Sequence, residues 1–187
     1  HQPVICGDST LLVLEGEKFV RFTDKDGHSI QKAQNIIFIS NGTGIVNNSE
    51  GYTYLITPDK KIIEGPAILH NSENKIITSH NTRFFAGGDN SFWVANAGKG
   101  LMYYQLNNKN EVTATQKITI ADGLPDDIVQ QVITDEQGRK WVITNSGLAI
   151  LYQNNKKGNP DWDVFNVSKA QGFTAEEWSS ANFAKDN

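Results

Sequence analysis

The sequence predicts an all-β chain: a β-propeller of four-stranded antiparallel blades, present here as a partial propeller. Three observations carry that expectation. Residues 118–151 hold short β-branched runs broken by turn residues at regular intervals, and no apolar period of 3.6 fits them. The same order of features (apolar run, turn, Trp-Val pair, turn, Gly-Leu) recurs upstream, where Trp93 lies 48 positions before Trp141. A period of roughly 40 to 50 residues carrying about four strands is the sequence mark of propeller blades.

The clearest copy reads strand by strand. Gln130, Val132 and Thr134 alternate with Gln131, Ile133 and Asp135, the period of two of a strand. Gln137-Gly138 ends that run, and Lys140 to Thr144 forms a second one around Trp141. Asn145-Ser146-Gly147 breaks again before a third run, Leu148 to Tyr152. Residues 36–56 are a fainter copy, with Ile45-Val46 standing 48 positions before Trp93-Val94. Downstream, Gly172 follows Gly123 by 49 positions, and residues 172–187 repeat the opening of the clearest unit.

In chain order, residues 1–27 read as the second half of a blade, two strands over 10–14 and 18–22 joined by Glu15-Gly16-Glu17. Asp24-Lys25-Asp26-Gly27 resembles the start of a calcium loop, but His28 occupies the next odd position, the distal Glu is missing and the Gly comes early. A turn is the better reading. Residues 35–64 form a blade turning at Pro58-Asp59, 65–74 a loop, and 75–79 a short strand or linker. Residues 83–120 form the next blade, with a polar hairpin tip at 107–111. Residues 129–167 form another, carrying an exposed insertion at 154–160. Residues 178–187 are expected to be the first strand of a further blade. About three whole units and two fragments are therefore expected, a piece of a longer propeller.

Composition narrows the function. The 187 residues carry a net charge of −4 with Lys and Arg scattered, which gives no basic patch for nucleic acid. No apolar run approaches the ~18 residues needed to span a bilayer, and no signal peptide stands at His1. Cys6 is the single cysteine, so no disulfide or Cys-based metal framework exists. The bulky Ile5 before it argues against a lipoprotein cleavage site. His1, His28, His70 and His80 show no metal-ligand spacing, and no metal or other cofactor is expected.

Catalytic motifs are lacking too. Asp126-Asp127 and Glu176-Glu177 are paired carboxylates at matching repeat positions, better read as solvated turns than as a glycosidase pair. Ala97-Gly98-Lys99-Gly100 lacks the first Gly and the hydroxyl residue of a phosphate loop, and no Gly-x-Ser-x-Gly elbow occurs. No catalytic residue is assigned, and the chain is read as not an enzyme.

The run Asp122-Gly123-Leu124-Pro125, then Asp135 and Gly138, Trp141-Val142, Thr144 and Gly147-Leu148, resembles the two-component regulator propeller repeat. The likeness is strong for this unit and fair for residues 84–104. It departs from the pattern at Ile45, where the Trp is lost, and at Gly88-Asp89-Asn90, which replaces the usual acidic turn. The resemblance implies the periplasmic sensor half of a hybrid two-component system. Such receptors detect glycan breakdown products, signal to a histidine kinase elsewhere in the polypeptide, and in full length would form a homodimer. The alternative it leaves open is a secreted or surface propeller scaffold for protein binding, such as those associated with type IX secretion.

In a propeller, the loops between second and third strands and those between blades share one face. Here they carry Asn96, Lys99, Asp126, Asn145 and Trp178, which are expected to form part of an oligosaccharide site. Amides, a carboxylate and a Lys suit sugar hydroxyls, and a ring suits a sugar's apolar face.

Overall fold

The structure, a computed structural model, describes residues 4–6, 10–65, 82–88, 90–96, 98–154 and 161–167. The expected strand at 75–79, most of the 154–160 insertion and everything from Gly172, Trp178 and Glu176-Glu177 included, lie outside the described residues. The chain divides into two compact units, 1–80 and 81–187. Both are built from antiparallel sheets in which consecutive strands are neighbours, the all-β blade architecture expected from the repeats.

In the N-terminal unit, β1 (Val4–Cys6), β2 (Leu11–Glu15) and β3 (Lys18–Arg21) form a three-stranded sheet. Its hairpin turns at Gly16, with φ 61°. The three-residue β1 is an addition to the two strands legible in the sequence. Next comes a four-stranded sheet of β4 (Ala33–Phe38), β5 (Gly44–Asn48), β6 (Thr53–Ile56) and β7 (Ile62–Glu64). Leu11, Val13 and Phe22 from the first sheet and its outgoing chain pack with Ile30, Ala33, Val46 and Ile56.

The C-terminal unit holds two four-stranded sheets. One comprises β8 (Arg83–Gly88), β9 (Ser91–Ala95), β10 (Leu101–Leu106) and β11 (Val112–Ile118). The other comprises β12 (Val129–Thr134), β13 (Lys140–Thr144), β14 (Gly147–Asn154) and β15 (Asp161–Val167). The core between them is Trp93, Leu101, Tyr103 and Ile118 from the first sheet against Val132, Val142, Ala149, Leu151 and Trp162 from the second. Trp93 is fully buried, its ring centroid 4.8 Å from Tyr103 and 5.0 Å from Trp162. Buried Lys140 adds a polar staple: its Nζ donates to the carbonyl of Gly87 at 2.6 Å and to Thr134 Oγ1 at 3.0 Å.

Trp93 and Trp141 hold the same register, each on the second strand of its sheet, paired with Phe85 and Tyr103 or with Ile133 and Ile150. Their burial differs: Trp93 is fully buried and Trp141 is half-buried. Side chains alternate along a strand. Val142 points into the core with Trp93, so its neighbour Trp141 faces the other side of the sheet.

One hairpin turn recurs. At 39–43, 48–52, 57–61, 107–111 and 135–139, the first residue's N–H donates to the carbonyl four residues on, and the fourth residue's N–H donates back to the first carbonyl. The fourth residue takes a left-handed conformation in every case: Gly42, Gly51, Lys60, Asn110 and Gly138, with φ between 62° and 91°. This is the turn that lets a short hairpin follow the twist of its strands. Asn48, Asn107 and Asp135 lock it with Oδ1, which accepts the N–H groups two and four residues on.

Candidate functional site

At one end of the C-terminal unit, three connections are tied together. They are the β9–β10 loop, the β11–β12 connection and the β13–β14 turn. The long connection folds through a single 3-10 turn, Ile120–Asp122, ended by left-handed Gly123 at φ 109°. Asp122 Oδ2 accepts from the N–H and hydroxyl of Thr119 at 2.8 and 2.9 Å. Leu124 drops into the core and anchors the connection from below.

Asp127 and Asp126 join this connection to its neighbours. Asp127 Oδ1 accepts Ile120 N–H at 2.9 Å, and its carbonyl accepts Gly100 N–H at 2.9 Å. Gly100 is required there, since a Cβ would lie 2.3 Å from the carbonyl oxygen of Ile118. Asp126 Oδ1 accepts Ile128 N–H at 2.8 Å, and Oδ2 accepts Ser146 Oγ–H at 2.7 Å. Asn145 N–H donates to the carbonyl of Ile128 at 3.0 Å.

The loops that carry Asn96, Lys99, Asp126 and Asn145 are thus linked at one end of this unit. Trp178 lies outside the described residues. The carboxylate of Asp126, expected to meet a ligand, accepts one hydrogen bond within its own loops at each oxygen. Lys99 is exposed, while Asn96 and Asn145 are half-buried.

Two residues that the sequence reading passed over belong to the same rim. Gln130 Nε2 donates to Asn145 Oδ1. Arg83, at the start of β8, donates through Nη1 to both the carbonyl and Oε1 of Gln130, at 2.5 and 3.0 Å. The signal for this contact is the repeat itself: residues about one period apart sit side by side on adjacent sheets, and these are 47 apart.

The N-terminal unit carries two features of its own. Asp24, Asp26 and His28 bring potential ligand atoms within 4.8 Å of one another. Asp24 Oδ1 accepts the N–H groups of Asp26 and His28 at 3.0 and 2.9 Å, and Oδ2 meets His28 Nδ1 at 3.2 Å, the arrangement of a locked turn. An apolar cleft of about 490 Å³ opens between the two sheets, lined by Leu11, Val13, Phe22, Ile36, Phe38 and Ile56 among others.

No family model matches this sequence, and no curated protein matches it. Solved structures do. Over 98% of its length the chain resembles the extracellular domain of a putative hybrid two-component system from B. thetaiotaomicron, with a TM-score of 0.65 and 18% identity, covering 24% of that protein. A second such domain from the same organism matches over 90% of the chain with a TM-score of 0.53, also at 18% identity, covering 23% of that protein. A putative 6-phosphogluconolactonase from Bacteroides fragilis matches 90% of the chain at 15% identity and a TM-score of 0.51, covering 56% of that protein. At these identities the likeness establishes the fold. The chain spans about a quarter of the length of the two sensor domains.

Proposed function

We propose that this chain is a non-enzymatic, ligand-sensing propeller module from the extracytoplasmic half of a hybrid two-component sensor. It lies in the periplasm, recognises glycan-derived oligosaccharides, and passes the signal to a histidine kinase elsewhere in the polypeptide. The observation that carries this reading is the structural likeness, across almost the whole chain, to the extracellular domain of such a system. The repeat signature around Asp122 and Trp141 supports it independently of that comparison.

The binding end is assigned to the tied loops of the C-terminal unit. Asn96, Lys99 and Asn145 offer amides and an ammonium to sugar hydroxyls, Asp126 holds their loops in place, and Trp178 supplies a stacking ring. A rim fixed by its own hydrogen bonds loses little entropy on binding. Autophosphorylation of the full-length protein in membrane vesicles, measured with digests of plant and host polysaccharides, tests the reading. A rise with one digest is expected. Phosphorylation indifferent to every digest, or turnover of a glycan by the purified chain, would overturn it.

A further inference from the structure

Arg83 is exposed yet held in place. Both hydrogens of its Nη1 have acceptors on Gln130, the carbonyl oxygen at 2.5 Å and Oε1 at 3.0 Å. Gln130 is oriented in turn by Asn145. The Nε–H and Nη2–H groups, which have no partner among the described residues, lie parallel in the guanidinium plane. That side-on fork matches two oxygens of one carboxylate or sulfate. A guanidinium clamped on one edge presents the other at reduced entropic cost, and a Lys at this position would not.

Each rim aspartate already accepts a hydrogen bond within its own loops. Asp122 is taken by Thr119, Asp127 by Ile120, and Asp126 by Ile128 and Ser146. Among the described residues, donors remain on Arg83, Lys99, Gln130 and the Asn145 amide. An array of donors is complementary to a ligand rich in acceptors. The three aspartates still outnumber Arg83 and Lys99 in formal charge, so an anion gains nothing from long-range steering and must be recognised at contact distance.

We infer that Arg83 is a specificity residue that grips the oxyanion edge of an acidic sugar, a uronic acid carboxylate or a sulfate ester, at the rim it shares with Gln130 and Asn145. This rests on the glycan-sensing reading above.

The test uses the whole extracytoplasmic polypeptide and paired probes. Oligogalacturonates and glucuronate-containing oligosaccharides are compared with their methyl esters, and sulfated oligosaccharides with their desulfated forms. Wild type should bind at least one acidic member roughly tenfold or more tighter than its neutral partner. Arg83→Gln should abolish that ratio by weakening the acidic member far more than its neutral partner, and Arg83→Lys should recover only part of it. The carboxylate and sulfate arms tell the two sources apart. Neutral glycans bound as tightly as acidic ones, or an unchanged ratio in Arg83→Gln, would overturn the role of Arg83 and leave the sensor reading standing. Failure of every glycan, acidic or neutral, would overturn both.

Discussion

The indole Nε1 of Trp141 donates to Oδ2 of Asp135 at 2.8 Å, tying the ring near the start of β13 to the turn that precedes it. The same oxygen accepts Arg139 Nε at 2.6 Å, and the Arg139 guanidinium stands 5.6 Å from the centre of the Trp141 ring. Asp135 Oδ1 meanwhile holds the N–H groups of Gln137 and Arg139. One carboxylate thus closes the turn and seats the half-buried ring.

This arrangement predicts an acid-sensitive turn. Burial alone would raise the Asp135 pKa, but the hydrogen bonds from Trp141, Arg139 and Gln137 outweigh it and lower the value from 3.8 to about 2. A depressed folded pKa gives stability that is present above the unfolded value and lost as pH falls towards the folded one. Melting midpoints between pH 6 and pH 2 should therefore fall most steeply below about pH 4. Asp135→Asn should flatten that fall. Parallel curves for the two proteins would remove Asp135 from this role.

The two tryptophans should differ in weight although they share a register. Trp93→Ala empties a fully buried position and is expected to cost roughly 3 to 5 kcal/mol. Trp141→Ala should cost less, about 1 to 2 kcal/mol, because its ring is only partly buried. Urea denaturation of both variants measures the order, and equal losses would contradict the assignment of the two faces.

Backbone strain gives a third prediction. A Cβ at Gly138 would meet nothing within 4 Å, so Gly138→Ala isolates the cost of a left-handed residue, roughly 1 to 2 kcal/mol. Gly100→Ala should cost more, because it adds a collision with the Ile118 carbonyl. Lys60 occupies the Gly138 position of its own turn with φ 65°, and Lys60→Gly should be neutral or stabilising by up to about 1 kcal/mol. Thermal melts of the three variants check the order.

What could be read from sequence was local. Asp135 and Gly138 announce their turn because side chain and backbone act within four residues, and the Trp-Val pairs announce their strands by alternation. The three residues of β1 carry no such pattern. That Val142 and not Trp141 faces the core with Trp93 depends on which sheet covers which face, something its own strand cannot state. The bond from Ser146 to Asp126 spans 20 residues, beyond what the Asp126 turn can state by itself. The Arg83–Gln130 contact has no local signal because Gln130 lies one repeat away, where only the folded sheets bring the two together.

The most direct test of the glycan-sensing account is calorimetric titration of the whole extracytoplasmic polypeptide with the oligosaccharides that raise kinase phosphorylation. Wild type is compared with Lys99→Ala, Asn145→Ala and Trp178→Ala. Saturable binding by wild type, weakened roughly tenfold by each of the three changes, is the predicted result. Wild-type affinity in all three variants would place the site away from these loops, and no saturable binding to any activating glycan would contradict direct sensing by this propeller.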